Sequence, residues 1–211
     1  MKTLAADLLA GLAYMHTQGW LHRDLKPDNC LITHDRQLKL ADFGHAAQLP
    51  DGLKKSPSHL FTSWYRPPEL CFGANTHGTA ADVWAAGCII AELLLRHPLF
   101  PGRGDSNKLQ AAAIFRITGT PTQATWPQHD LLPGHMHFAE SPPQPWAGVL
   151  PDATAPAHDL LAQMLCLDPN RRISAAEALQ HDWFAAAPEP APRGSIALPE
   201  DSSAGPVAAA T

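Results

Sequence analysis

The sequence lacks the marks of several large protein classes. Its four cysteines, Cys30, Cys71, Cys88 and Cys166, stand far apart, and no C-x-x-C pair occurs. That excludes a zinc ribbon and gives no basis for a disulfide framework; a reduced, intracellular setting is expected, in the nucleus, the cytoplasm or both. Twelve histidines are present but no H-E-x-x-H, which argues against a metalloprotease. There is no basic excess: the formal net charge of −5 disfavours a nucleic-acid partner. The longest apolar stretch, Val83 to Leu95, is interrupted by Glu92 and closed by Arg96, too short to cross a bilayer, so no membrane association is expected. The N-terminus runs directly into an amphipathic pattern, without the apolar core and small-residue cleavage site of a secretory leader.

What remains is 211 residues of globular composition, enough for one domain with a sizeable core. Leu4, Leu8, Leu9, Leu12 and Met15 repeat at helical spacing up to Gly19. Residues 20–29 read as a loop. Residues 30–33 and 37–40, separated by His34-Asp35-Arg36, predict a small hairpin. Residues 42–69 form a long irregular segment, and such a length inside a compact domain is usually functional. Helices are predicted over 79–96, 107–117 and 157–167. Ser174-Ala175-Ala176-Glu177 has capping-box spacing and opens a last helix to about His181. The eight prolines within 119–156 predict an irregular insert. Residues 185–211, with nine Ala and five Pro, read as a disordered tail after a domain spanning 1–184.

The chemistry lies in the loops. Phosphoryl transfer needs a carboxylate to orient the attacking hydroxyl, oxygen ligands for Mg²⁺, and positive charge near the moving phosphate. The run His22-Arg23-Asp24-Leu25-Lys26-Pro27-Asp28-Asn29 supplies most of these in eight residues. Asp24 would accept the hydroxyl proton, Lys26 would neutralise the γ-phosphate, and Asn29 would offer a neutral oxygen to the metal. Asp42-Phe43-Gly44 follows the hairpin, with Asp42 as the main Mg²⁺ ligand, Phe43 as a packing piece and Gly44 as a joint. Either motif alone is a weak signal. Together, with their aspartates 18 residues apart and a hairpin between, they are specific.

Further motifs follow in order. Trp64-Tyr65-Arg66-Pro67-Pro68-Glu69 closes the irregular segment. Asp82, at the head of the most apolar helix, can accept backbone N–H groups from the catalytic loop. Arg172 can pair with Glu69 in a partly buried ion pair that braces the peptide-binding loop.

On these residues the chain resembles the C-terminal lobe of the cyclin-dependent kinases. The resemblance is carried by Leu21 to Pro27, Leu38 to Gly44, Trp64-Tyr65-Arg66, Gly87 to Leu94, Pro98 to Gly102, and Gly119 to Thr122 with Trp126-Pro127, and it covers residues 1 to about 184. Val149 to Asp152 and the Pro-rich tail look most similar to the cell-cycle-related kinase branch; Ala91 to Pro101 also resembles the CDK-activating branch. The resemblance implies an α+β, protein-kinase-like fold: a mostly helical C-lobe with a small β-hairpin at the nucleotide site, and no N-lobe. It implies ATP and Mg²⁺, Ser/Thr protein substrates, and room for a cyclin. Leu31 would pack under the adenine, and Thr62 would hydrogen-bond Asp24 and Lys26. Phe61 stands where a small apolar residue is usual just before that Thr.

The departures matter as much. No G-x-G-x-x-G and no V-A-I-K lysine occurs, so one side of the ATP clamp is missing and a fragment, an incomplete gene reading or a truncated form is expected. Pro57 occupies the position of the family's phospho-acceptor Thr. Ser56 and Ser58 flank it, and a phosphate on either would find Arg23 as its partner. Two readings stand: a Ser/Thr protein kinase, or a non-catalytic lobe acting as a binding module.

Overall fold

The computed structural model describes residues 1–49, 61–76, 78–186 and 192. The first helix, α1 (Lys2–Thr17), turns Ala5, Leu8, Leu9 and Leu12 inward, as the leucine spacing predicts. The chain then makes two short antiparallel sheets. In one, β1 (Trp20–Leu21) pairs with β4 (Ala47–Gln48), with Trp20 opposite Gln48 and Leu21 opposite Ala47. In the other, β2 (Cys30–Ile32) pairs with β3 (Leu38–Leu40), with Leu31 opposite Lys39. The second sheet is the predicted hairpin. The first lies partly in a segment read as loop, and two-residue strands carry no periodicity that would reveal them.

The remaining helices are α2 (Pro68–Cys71), α3 (Thr79–Leu95), α4 (Asn107–Thr118), α5 (Trp146–Val149), α6 (Ala155–Met164), α7 (Ala175–Leu179) and α8 (Asp182–Ala185). The central one is α3, buried without a break from Ala81 to Ala91. It reads as a continuous apolar run because neighbours surround it on every side: α1 and α6 pack against it, and Trp84 stacks on Phe100 at 5.6 Å. No helix among the described residues is long and apolar enough to cross a membrane. The four cysteines are free thiols; burial pushes Cys30 and Cys71 up to about 12, which keeps them protonated and inert.

Boundaries differ from the sequence reading in three places. Pro156 sits in the first turn of α6, where its missing N–H costs nothing, so the helix starts at Ala155 and not 157. The insert 119–156 holds a 3-10 turn at His129–Leu131 and the short α5. The capping box at Ser174 and Glu177 is present, but a second helix, α8, follows across the boundary placed at 184. Of the proposed tail, 187–191 and 193–211 lie outside the described residues.

The insert is set by Gly119, which ends α4 at φ 80°; a Cβ there would lie 2.8 Å from the Pro143 nitrogen. Gly119→Ala should therefore destabilise the fold by about 1–3 kcal/mol, from positive-φ strain plus a backbone clash, read as a lower urea midpoint at unchanged m.

Candidate active site

The segment of residues 22–29 enters from β1 and is held from beneath by α3. The Asp82 carboxylate, fully buried, accepts the backbone N–H of His22 and of Arg23, both at 2.8 Å. Its Oδ2 also lies 3.0 Å from His16 Nε2. Burial works to raise the Asp82 pKa; the His16 bond and charge and the two backbone donors outweigh it, so the carboxyl sits below its usual range. The grip fixes an unusual backbone: Arg23 has φ 69°, a left-handed conformation that a non-glycine residue adopts only when its surroundings impose it.

His22 has no exposed surface. Its Nε2 lies 3.1 Å from the Ala41 carbonyl and its Nδ1 is 3.4 Å from the Asp24 N–H. A carbonyl only accepts and an N–H only donates, so the ring carries its proton on Nε2. Its ring centroid is 5.4 Å from that of Phe43, which joins the loop to Asp42-Phe43-Gly44. Arg23 bridges the same two segments through Nε to the His45 carbonyl.

Asp24 is the convergence point. Lys26 Nζ donates to its Oδ2 at 2.8 Å; Thr62 donates to its Oδ1 through the hydroxyl at 2.9 Å and the backbone N–H at 3.2 Å. Lys26 also reaches Thr62 Oγ1 at 3.4 Å. Burial works to raise the Asp24 pKa, but these donors prevail and hold it below the ordinary carboxylate range. The same bond raises Lys26 above the usual lysine range, so both groups are charged at neutral pH.

Asn29 donates to the Asp24 carbonyl at 2.8 Å, which leaves its Oδ1 as the atom available to a cation. Asp42, at φ 59°, is exposed and accepts from Gly44 N at 3.3 Å with one oxygen. Among the described residues no group of three His, Cys, Asp or Glu could hold a metal. Asn29 Oδ1 and an Asp42 carboxylate oxygen are of the type that could take Mg²⁺, which keeps waters and accepts phosphate oxygens alongside one or two protein ligands. Leu31 is 55% exposed and Phe43 52% exposed, apolar surface on the segments that follow Asn29 and Asp42 in the chain.

Residues 61–66 form the opposite wall. The guanidinium of Arg66, only 3% exposed, donates to the Phe61 carbonyl (2.8 Å), Asn107 (2.7 Å) and Asp105 (2.8 Å). Trp64 Nε1 donates to the Gly102 carbonyl at 2.9 Å. Glu69 and Arg172 meet in a bidentate pair at 2.9 and 3.0 Å. A cavity of about 300 Å³ opens between Asp24, Lys26, Thr62, Arg66 and Asp105. A larger cavity, about 880 Å³, lies elsewhere, between α1, β3 and Phe43, and none of Asp24, Lys26 or Asn29 lines it. Ser56 and Ser58 lie outside the described residues.

Residues 1–184 match the protein kinase domain. The chain belongs to the protein kinase family. Cyclin-dependent kinase 20 of Mus musculus is 43% identical over 203 residues, 95% of this chain and 58% of that protein. Cyclin-dependent kinase D-1 of Oryza sativa subsp. indica is 42% identical, covering 94% of this chain and 46% of the relative. The serine/threonine-protein kinase ppk23 of Schizosaccharomyces pombe is also 42% identical, over 90% and 48%. The first two bear the name of the cyclin-dependent group that the motifs resemble, and this kinase chain spans about half the length of the curated relatives it matches.

Three parts of the kinase site were not singled out in the sequence. His16 ends α1 and reads there as a cation at a helix C-terminus, with nothing to tie it to Asp82, 66 residues on. Asp105 sits in a Gly/Ser-rich loop and acquires its role only through Arg66. The β1–β4 pair had no periodic signal at all.

Proposed function

We propose that the chain is the catalytic-loop portion of an ATP-dependent Ser/Thr protein kinase of the cyclin-dependent type, acting in cell-cycle or transcription control. The observation that carries this reading is the Asp24 carboxylate, charged and held between Lys26 and Thr62 at the edge of an open cavity. A substrate hydroxyl entering that cavity would give its proton to Asp24 as its oxygen bonds the γ-phosphorus of ATP and the bond to the β-phosphate oxygen breaks, releasing ADP. Lys26 would lower the cost of the negative charge gathered on the transferred group. Mg²⁺, when bound, supplies charge neutralisation of the phosphates, with Asn29 and Asp42 as its protein ligands. Leu31 would support the adenine. The Glu69–Arg172 pair and Arg66 would keep the substrate wall in register, and a cyclin is the partner that the relatives' names suggest.

The test is phosphate incorporation into a Ser/Thr peptide with Mg-ATP, comparing the chain with Asp24→Asn. The reading expects a loss of about 10²–10⁴-fold in rate. Equal incorporation by both proteins would sink it and leave the binding-module reading.

A further inference from the structure

Three imidazoles crowd one corner of the insert, away from the catalytic residues. The rings of His129 and His135 are 5.5 Å apart, and those of His135 and His137 are 5.0 Å apart. They sit on an aromatic hub. Phe72, fully buried just past α2, meets the edge of His135 at 5.2 Å, stacks on Trp126 at 5.6 Å and touches Phe115 at 5.7 Å.

The insert is latched to this hub through the backbone. Gly134 N donates to the Phe72 carbonyl at 2.8 Å, and a Cβ on Gly134 would lie 3.0 Å from that same carbonyl. Two stretches of main chain are in van der Waals contact, with the histidine cluster beside them. The latch lies within the segment that carries Glu69 and follows Thr62.

His129 Nδ1 donates to the Trp126 carbonyl at 2.8 Å, which leaves Nε2 to take a proton. Asp130 is the acid that acts on His135, and it accepts from Gln123 at 3.1 Å. Phe72, just past α2, meets the cluster at His135 and is backed by Phe115 of α4, while the Glu69 carboxylate is committed to Arg172.

We propose that His129, His135 and His137 form a proton-operated latch that releases the insert from the end of α2 when the cluster becomes charged. Protonation would place like charges about 5 Å apart against aromatic rings, with Asp130 the acid that acts on His135. Burial lowers the pKa of His135, and His137 and His129 lower it further, against an opposing pull from Asp130. A histidine depressed in the fold contributes stability that is complete above its unfolded pKa, about 6.5, and is lost as pH falls below it toward the folded value.

The experiment is amide hydrogen exchange at Gly134 in the intact chain at about pH 7.5 and about pH 5.5, corrected for the intrinsic rate. Opening should increase by up to about tenfold on acidification, the ceiling for one histidine of ordinary pKa that takes its proton only in the open form. In His135→Phe combined with His137→Gln, which keeps a ring edge on Phe72 but cannot charge, the increase should vanish. Should that protein fail to fold, His129→Gln with His137→Gln serves: the lone His135 should then titrate higher, followed by its Cε1 proton resonance, and Gly134 should open less on acidification. Acid opening equal in wild type and variants, or none in wild type, overturns the proposal.

Discussion

Replacing Arg172 with alanine should cost about 3–5 kcal/mol of folding stability, the loss expected when one partner of a buried ion pair is removed and the other stays buried. Its guanidinium serves more than one acceptor. Besides both Glu69 oxygens it donates to the carbonyls of Ala80 at 2.7 Å and Cys166 at 3.0 Å, and it lies 4.9 Å over the Trp84 ring. Three stretches of chain, α2, the start of α3 and the end of α6, are tied through one planar group. Lysine, with one rotatable ammonium, could not satisfy that fork, so Arg172→Lys should recover less than half of the loss. Urea unfolding followed by far-UV CD measures both. A loss in Arg172→Ala below about 1 kcal/mol would show the pair to be as weak as a surface bridge. In a double-mutant cycle, Glu69→Gln should remove much of the penalty, since the group left behind is then uncharged.

The second large effect is expected at Asp82. Asp82→Asn replaces one acceptor oxygen with an NH₂ group facing donors: the two backbone N–H groups and His16 can no longer all be served. An unsatisfied buried group costs about 1–3 kcal/mol, more where a charged acceptor is lost, so about 3 kcal/mol is expected. The sign with pH follows from the depressed carboxyl. Wild-type stability from Asp82 is complete above the unfolded carboxylate pKa and is lost as pH falls through the lower folded value. Asp82→Asn should therefore narrow the gap to wild type in acid, measured as urea midpoints across a pH series. A gap constant with pH would place the cost in packing alone. Because Arg23 depends on this grip for its positive φ, the variant should also release the Asp24 loop, seen as faster exchange of the His22 and Arg23 amides.

How far the sequence reveals this depends on how each feature is encoded. The Asp24, Lys26 and Asn29 cluster is local: three side chains within six residues must share one loop, so the motif alone places them together. Asp82 and the Glu69–Arg172 pair were legible for another reason. Each stands within the ordered set of motifs, Asp82 at the head of the apolar helix and Glu69 beside a run of prolines, and it is that context, not the residue alone, that points to a buried partner. His16 and Asp105 escaped because each is ordinary where it stands, one ending a helix, the other in an exposed loop. Only the tertiary fold gives them Asp82 and Arg66. The β1–β4 ladder and α8 escaped because two or four residues are too few to show a period.

That short ladder divides the site mechanically. The backbone leading into Asp24 is anchored to the interior through a carboxylate that water does not reach. Among the described residues, the backbone leaving Asp42 is held by the two β1–β4 residue pairs, the bond from Leu49 N to the Gly19 carbonyl, the bond from Arg23 to His45 and a ring contact to a half-exposed Phe43. Local opening free energy follows buried area and protected hydrogen bonds, so the two aspartates belong to units of very different stiffness. One half of the site behaves as a fixed jaw. The other is held at the surface, where its described ties bury less area.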